Sequence, residues 1–182
     1  MKTTKWSLDP VHSELGFKIK HLMITNVSGN FTSFNVSATT PTGDFGDANI
    51  KAEVEVSSIN TNNAQRDEHL RNADFFEVEK FPAISFQSTS IQKVDEETYH
   101  ITGDLTIKET TRPVKITAEY SGITKDPWGN TKAGFSISGK INRKDFGVNY
   151  NAALETGGVM LGEELKINGE IQLVKEEVLQ PA

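Results

Sequence analysis

Apolar and polar residues alternate along most of the chain. From Ser13 to His21, Leu15, Phe17 and Ile19 take one parity while Glu14, Lys18 and Lys20 take the other, the mark of a strand with one buried face. Val27 to Ala38 continues in this style, but the apolar set passes from Val27, Gly29 and Phe31 to Phe34, Val36 and Ala38. That change of parity predicts a bulge near Ser33. Turn chemistry from Pro41 to Asp47 precedes a third row, Ile50, Ala52, Val54 and Val56. Five more rows follow: Ile84 to Ser88, Tyr99 to Ile107, Val114 to Tyr120, Phe135 to Ile141 and Leu165 to Leu173.

The one convincing helix lies between the third and fourth rows. Asn62, three residues ahead of Gln65, resembles an N-cap with its reciprocal partner, and Asp67 precedes Arg71 by one turn in the favourable acid-then-base order. A helix starting near Asn63 is expected from the run Gln65 to Phe76. Arg66, Leu70 and Ala73 share a face, and Phe75-Phe76 add apolar area that needs a receiving surface.

No helix separates the other rows and their connections are short, so the sheet is predicted to be antiparallel. The expected fold is all-β: an antiparallel eight-stranded barrel with one short helix between strands 3 and 4, in a single domain over residues 1–182. A barrel of eight strands either fills its interior with side chains or encloses one small ligand. The segment Phe146 to Gly162 is rich in Gly and Asn yet carries Val148, Tyr150, Leu154, Val159, Met160 and Leu161, which predicts a loop folded over the barrel.

Composition narrows the function classes. The 182 residues are 36% hydrophobic with mean hydropathy −0.43, too polar for a chain of membrane helices. A net charge of −6 and a pI near 5.3 argue against a nucleic-acid surface, which needs basic groups to displace counterions. With no cysteine there is no disulfide framework, thiolate metal site or cysteine nucleophile. The first residues lack the apolar run and cleavage site of a secretory signal, so a cytoplasmic location is expected as written; a mature exported form, periplasmic or secreted, would read the same. Association into a homodimer is compatible with the sequence.

Gly103, Gly139 and Gly169 fall where the parity demands inward side chains, and Ala52 and Ala118 add small ones. On one reading these positions open a lengthwise apolar cavity walled by Phe17, Ile19, Phe31, Ile84, Phe86, Ile101, Leu105, Ile116, Phe135, Ile137 and Ile141. On the other, the glycines mark bends and neighbouring large residues fill the gaps. His12, His21, His69 and His100 include no helix-spaced metal pair, so no metal ligand set is expected. Ser13 beside His12 lies on opposite strand faces, so no catalytic triad is expected there. Arg66-Asp67 and Arg143-Lys144-Asp145 read as structural anchors, Arg66 for the helix on the barrel rim and Arg143 with Asp145 for a strand end. His21 shares the parity of Phe17 and Ile19, which sets it near a cavity mouth.

The ordered runs Trp6-Ser7-Leu8-Asp9-Pro10-Val11-His12-Ser13, Gly29-Asn30-Phe31, Arg66-Asp67-Glu68-His69-Leu70 with Asp74-Phe75-Phe76, and Lys80-Phe81-Pro82 resemble those of the YceI-like family. Gly103-Asp104-Leu105-Thr106-Ile107, Thr111-Arg112-Pro113-Val114 and Asn142-Arg143-Lys144-Asp145-Phe146-Gly147 extend the resemblance over nearly the whole chain. It implies a lipocalin-like barrel whose elongated pocket holds a polyisoprenoid, an isoprenoid quinone or a fatty-acid-like chain, with no catalytic residues and no cofactor beyond such a lipid. Two departures stand out: Glu109-Thr110-Thr111 where a glycine often precedes the threonine, and the missing export signal. On this reading the protein binds, carries or stores a long amphiphile, with His21, Asn149 and Tyr150 at the head-group rim. The alternatives are a filled barrel acting as a stress-response or protein-interaction module, and an enzyme with a histidine-built metal.

Overall fold

The computed structural model describes residues 3–151 and 160–176. Its strands are β1 (Thr4–Leu8), β2 (Glu14–His21), β3 (Thr25–Phe31), β4 (Phe34–Thr40), β5 (Asn49–Glu55), β6 (Ile59–Asn60), β7 (Ala83–Lys93), β8 (Thr98–Ile107), β9 (Thr110–Lys125), β10 (Thr131–Asn142) and β11 (Leu161–Lys175), with helix α1 (Ala64–Arg71) between β6 and β7. Strands β1, β4, β5, β7, β8, β9, β10 and β11 pair in that order, all antiparallel, and β1 pairs back with β11 to close an eight-stranded ring. Closure leaves that ring without an unpaired edge.

The remaining strands continue rows already in the ring. β11 pairs with β1 near its C-terminal end, Leu8 opposite Leu173, and with β2 along its earlier part, Phe17 opposite Ile167. β1 and β2 thus form one row broken at Asp9-Pro10, where a short 3-10 turn, Pro10–His12, is capped by the Asp9 carboxylate on Val11 N–H at 3.1 Å. Proline suits this place because its locked φ starts a turn and its missing N–H would have had no ladder partner. Across the break Gln172 donates to Ser13 Oγ (3.0 Å) and accepts from Asp9 N–H (2.9 Å), which replaces the lost pairing. β1, with its buried Trp6, was not among the rows expected from alternation.

β3 and β4 likewise form one row, and the parity change expected near Ser33 is real: Val27 and Phe31 face inward before it, Val36 and Ala38 after it. Ser58, in the 3-10 turn Val56–Ser58 that interrupts β5 and β6, accepts Ser33 N–H on its hydroxyl (3.0 Å) and Thr32 N–H on its carbonyl (3.2 Å). The two kinks therefore lock each other.

Helix α1 is shorter than expected and starts one residue later. Asn63 is its cap, accepting Arg66 N–H at 3.0 Å, because Asn62 takes a left-handed conformation with φ 61°. The chain leaves the helix after Arg71, and Ala73, Phe75 and Phe76 lie in the turns beyond. Thr61 anchors the helix: its N–H (2.9 Å) and hydroxyl (2.5 Å) donate to the buried Asp67 carboxylate, while Arg66 donates to its hydroxyl (2.8 Å) and carbonyl (2.7 Å). The β8–β9 connection is a two-residue turn, Lys108-Glu109, with Lys108 at φ 57°.

Two apolar clusters occupy the ends of the barrel. One gathers Trp6, Phe45, Tyr99, Ala118 and Leu173; the other gathers Val54, Phe75, Leu105, Ile141, Phe146 and Val148 beneath α1. Near the first end, Asp9 Oδ2 lies 2.5 Å from Lys132 Nζ and 2.8 Å from His12 Nδ1. The Lys132 hydrogen bond holds the Asp9 carboxyl at about 2, against an ordinary 3.8. A carboxyl depressed in the folded state contributes stability above its unfolded pKa and loses it as pH falls toward the folded value. Asp9→Asn is therefore expected to cost about 1 kcal/mol at pH 7, measured by chemical denaturation, and the gap to wild type closes as pH is lowered from 4 toward 2. A gap that persists at the acid limit would assign the loss to the cap on Val11 instead.

Candidate functional site

The inward parity of the strands converges on a lumen that is not filled. A cavity of about 370 Å³ runs inside the barrel, lined from Phe45, Tyr99 and Leu173 at one end to Phe75, Tyr150 and Met160 at the other. At about 24 cal/mol per Å³, a void of this size costs on the order of 9 kcal/mol, comparable to the whole stability of a domain. An apolar space of that kind does not hold ordered water readily, since water there finds few polar partners. The filled-barrel alternative does not describe this interior.

The end near Phe45 is stopped. Phe45 opens a 3-10 turn (Phe45–Asp47) in the β4–β5 connection, whose cap Asp44 accepts Gly46 N–H at 2.8 Å. The turn throws the Phe45 ring onto Trp6, Tyr120 and Phe135, at centroid distances of 5.1, 5.8 and 4.9 Å. The turn chemistry of residues 41–47 does not announce this plug; its one signal is a phenylalanine among turn formers.

Of the residues expected at the site, Phe17, Ile19, His21 and Phe31 line the cavity from β2 and β3, and Ile84, Phe86, Ile101 and Leu105 from β7 and β8. Ile116, Phe135, Ile137 and Ile141 line it from β9 and β10, with Tyr150 beyond. Ala52 and Ala118 also face it. Three expectations need correction. Asn149 is exposed and does not reach the cavity, because Val148 and Tyr150 take the inward parity. Gly103 and Gly139 do not line it either: a Cβ on Gly103 would overlap the Phe86 ring and sit 2.6 Å from the Gln87 carbonyl, and one on Gly139 would lie 2.8 Å from Ile116 Cδ1. Gly29 is covered by Phe17 and Gly169 by Ile137 in the same way. Each inward glycine is thus a bed for a large side chain on the adjacent strand, the reading in which neighbours fill the gap. The effect on the lumen is indirect, since rings and isoleucines that lie flat against the wall stay out of its centre. Of the loop expected over the barrel, residues 152–159, with Leu154 and Val159, lie outside the described residues; Val148, Tyr150, Met160 and Leu161 pack at the α1 end.

Polar lining gathers at that α1 end: His21, Thr61, Arg66, His69, Ser85 and Arg143. His69 is held by Asp74, Nε2 to Oδ2 2.8 Å, and stacks edge-on against Phe75 and Tyr150. Arg143 begins a 3-10 turn (Arg143–Phe146) that explains the run Asn142 to Gly147: Asn142 accepts Lys144 N–H at 2.9 Å, Phe146 is buried, and Gly147 closes the turn at φ 78°. Only 5% exposed, Arg143 donates from Nε to the Gly162 carbonyl and from Nη1 to the carbonyls of Val148 and Tyr150, each at 2.8 Å. Burial pushes its pKa down and the Glu163 charge pushes it up. It is not the strand-end partner of Asp145 expected from parity, and its place on the cavity wall was not legible.

Chemistry elsewhere is sparse. His12 Nδ1 faces Asp9, and the Ser13 hydroxyl bonds Gln172. Among the described residues no group of three or more His, Asp or Glu side chains is placed to hold a metal, and no helix is long and apolar enough to cross a membrane.

The family model of the YceI-like domain matches residues 6–173. The chain belongs to the YceI-like family. A UPF0312 protein of Staphylococcus aureus strain N315 is 39% identical over 170 residues, covering 93% of this chain and 96% of that one. The crystal structure of the Campylobacter jejuni YCEI protein is 33% identical, covers 93% of this chain and 97% of its own, and superposes with a TM-score of 0.71. A polyisoprenoid binding domain from Saccharophagus degradans, implicated in plant cell wall breakdown, shares the fold at TM-score 0.68 with 11% identity, covering 94% and 98%. In this YceI-like barrel the run Trp6–Ser13 spans the β1–β2 row break, Arg66–Leu70 lies on the anchored helix, and Asn142–Gly147 forms the 3-10 turn at the α1 end.

Proposed function

We propose that the protein binds a long-chain amphiphilic lipid, of the polyisoprenoid, isoprenoid quinone or fatty-acid-like type, and shields it from water without changing it. The observation that carries this reading is the unfilled, almost wholly apolar lumen, stopped at the Phe45 end and polar at the α1 end. Burial alone supplies about 0.8 kcal/mol per enclosed methylene, so a tail of modest length binds tightly with few polar contacts. The ligand type is supported by membership of the YceI-like family and by the fold shared with a polyisoprenoid binding domain. Of the residues set on the cavity wall, Phe17, Phe86, Ile116, Phe135 and Ile137 would grip the tail.

The test is direct. Protein purified without detergent is extracted with organic solvent and the extract analysed by mass spectrometry; one long-chain lipid per barrel is expected. Delipidated protein is then expected to take up added prenyl or fatty chains. Neither lipid in the extract nor uptake afterwards would reject the reading.

A further inference from the structure

We propose that the α1 end of the lumen is a receptor for an anionic head group, a carboxylate or a phosphate, held by the Arg143 guanidinium and faced by Arg66. This rests on the lipid-binding reading above and adds the chemistry of the ligand's polar end.

Arg143 has five N–H donors, and three are used, all on neutral backbone carbonyls. Arg143 lines the cavity, and its Nη2 is buried with no acceptor among the described residues. Among the described residues no carboxylate forms an ion pair with the guanidinium: Glu163, whose charge acts on it, is bound to Lys144 at 2.9 Å, with both side chains about half exposed. A buried cation without an ion partner is strongly disfavoured unless something neutralises it. Three carbonyls fix this guanidinium rigidly and leave the two N–H groups of Nη2, so an oxyanion would be received by Nη2 alone, on a cation already held in place.

Arg66 makes the same point independently. It also lines the cavity, and its two side-chain bonds go to the hydroxyl and carbonyl of Thr61. The adjacent Asp67 carboxylate is taken by Thr61 N–H and hydroxyl, and Asp74 is taken by His69. Among the described residues, both arginines are thus held by neutral oxygens while Asp67, Asp74 and Glu163 are bonded elsewhere, so the wall presents positive charge to the lumen. A neutral carbonyl or alcohol could accept one hydrogen bond there but would leave the charge uncompensated. An oxyanion satisfies both.

The experiment uses three probes with one sixteen-carbon chain: hexadecanoate, hexadecyl phosphate and hexadecan-1-ol, titrated into the delipidated full-length protein at neutral pH and low ionic strength. Either anion is expected to bind at least about tenfold tighter than the alcohol, and which anion leads separates a fatty-acid-like ligand from a lipid phosphate. Equal affinities would overturn the head-group proposal and leave lipid binding standing; no binding of any probe would remove the lipid reading itself. In Arg143→Gln the ratio of anion to alcohol affinity is expected to collapse toward unity, and a retained ratio counts against the proposal. Because that variant also loses backbone staples, a crystal structure of the wild-type protein with hexadecanoate decides independently: a carboxylate oxygen within hydrogen-bonding distance of Nη2 supports the assignment, and a head group at the Phe45 end or in solvent overturns it.

Discussion

Ala52→Trp is expected to weaken long-chain binding by at least about 100-fold while the barrel stays folded. Ala52 sits on β5 between Val36 and Phe86 on its two neighbours and faces the lumen. An indole there projects across the path of the tail. Displacing about four methylenes at about 0.8 kcal/mol each removes roughly 3 kcal/mol of binding energy, more than a hundredfold in affinity. Folding is spared because the ring enters space that no side chain occupies, and stability by urea denaturation is expected to hold or rise as the void shrinks. Titration of a prenyl or fatty chain into wild type and variant reads the effect. Unchanged affinity in a folded variant would show that the chain does not pass this point of the barrel.

Phe45→Ala is expected to act at the stopped end of the lumen and in the opposite sense. The ring is 7% exposed and fills the space between Trp6, Tyr120 and Phe135, so its loss should cost about 3–5 kcal/mol, the range for a buried phenylalanine. In the wild-type protein, affinity across a homologous series of chains should rise with each methylene and level off once the terminal methyl meets Phe45. Removing the ring lifts that ceiling, and longer chains should go on gaining. Trp6 gives a second readout, since it is 4% exposed in the intact protein and its emission should shift red when water reaches the end of the lumen. A wild-type series with no plateau would show that Phe45 is not a stop.

Much of this fold was legible in the sequence because alternation reports directly on which face of a strand is buried. The eight rows, the slip near Ser33 and the lone helix all follow from local pattern. β1 escaped because Trp6 and Leu8 give only two inward residues before Pro10 ends the alternation, and what makes them a strand is pairing with Lys175 and Leu173 at the far end of the chain. Asn62 fits the spacing of a cap, yet the cap is Asn63; backbone conformation decides between them, and composition does not reveal it. The functional end was read least well. Arg143 has a parity partner in Asp145, so a local account was at hand, whereas its real partners are the carbonyls of residues 148, 150 and 162, brought together only by the fold. Gly103 and Gly139 were rightly read as inward, but what stands over an inward glycine is set by the adjacent strand, a fact of register.

One of the glycine beds makes the bore adjustable by a paired exchange. Where Ile116 lies over Gly139, a side chain at the glycine would tip its neighbour off the wall and narrow the channel, and trimming that neighbour at the same time would restore the gauge; at Gly169 the Glu14 backbone carbonyl, 2.8 Å from an added Cβ, blocks the same exchange. At the Gly139–Ile116 pair the barrel can thus change calibre by a matched exchange across adjacent strands, leaving its hydrogen-bond ladder and its outer surface untouched.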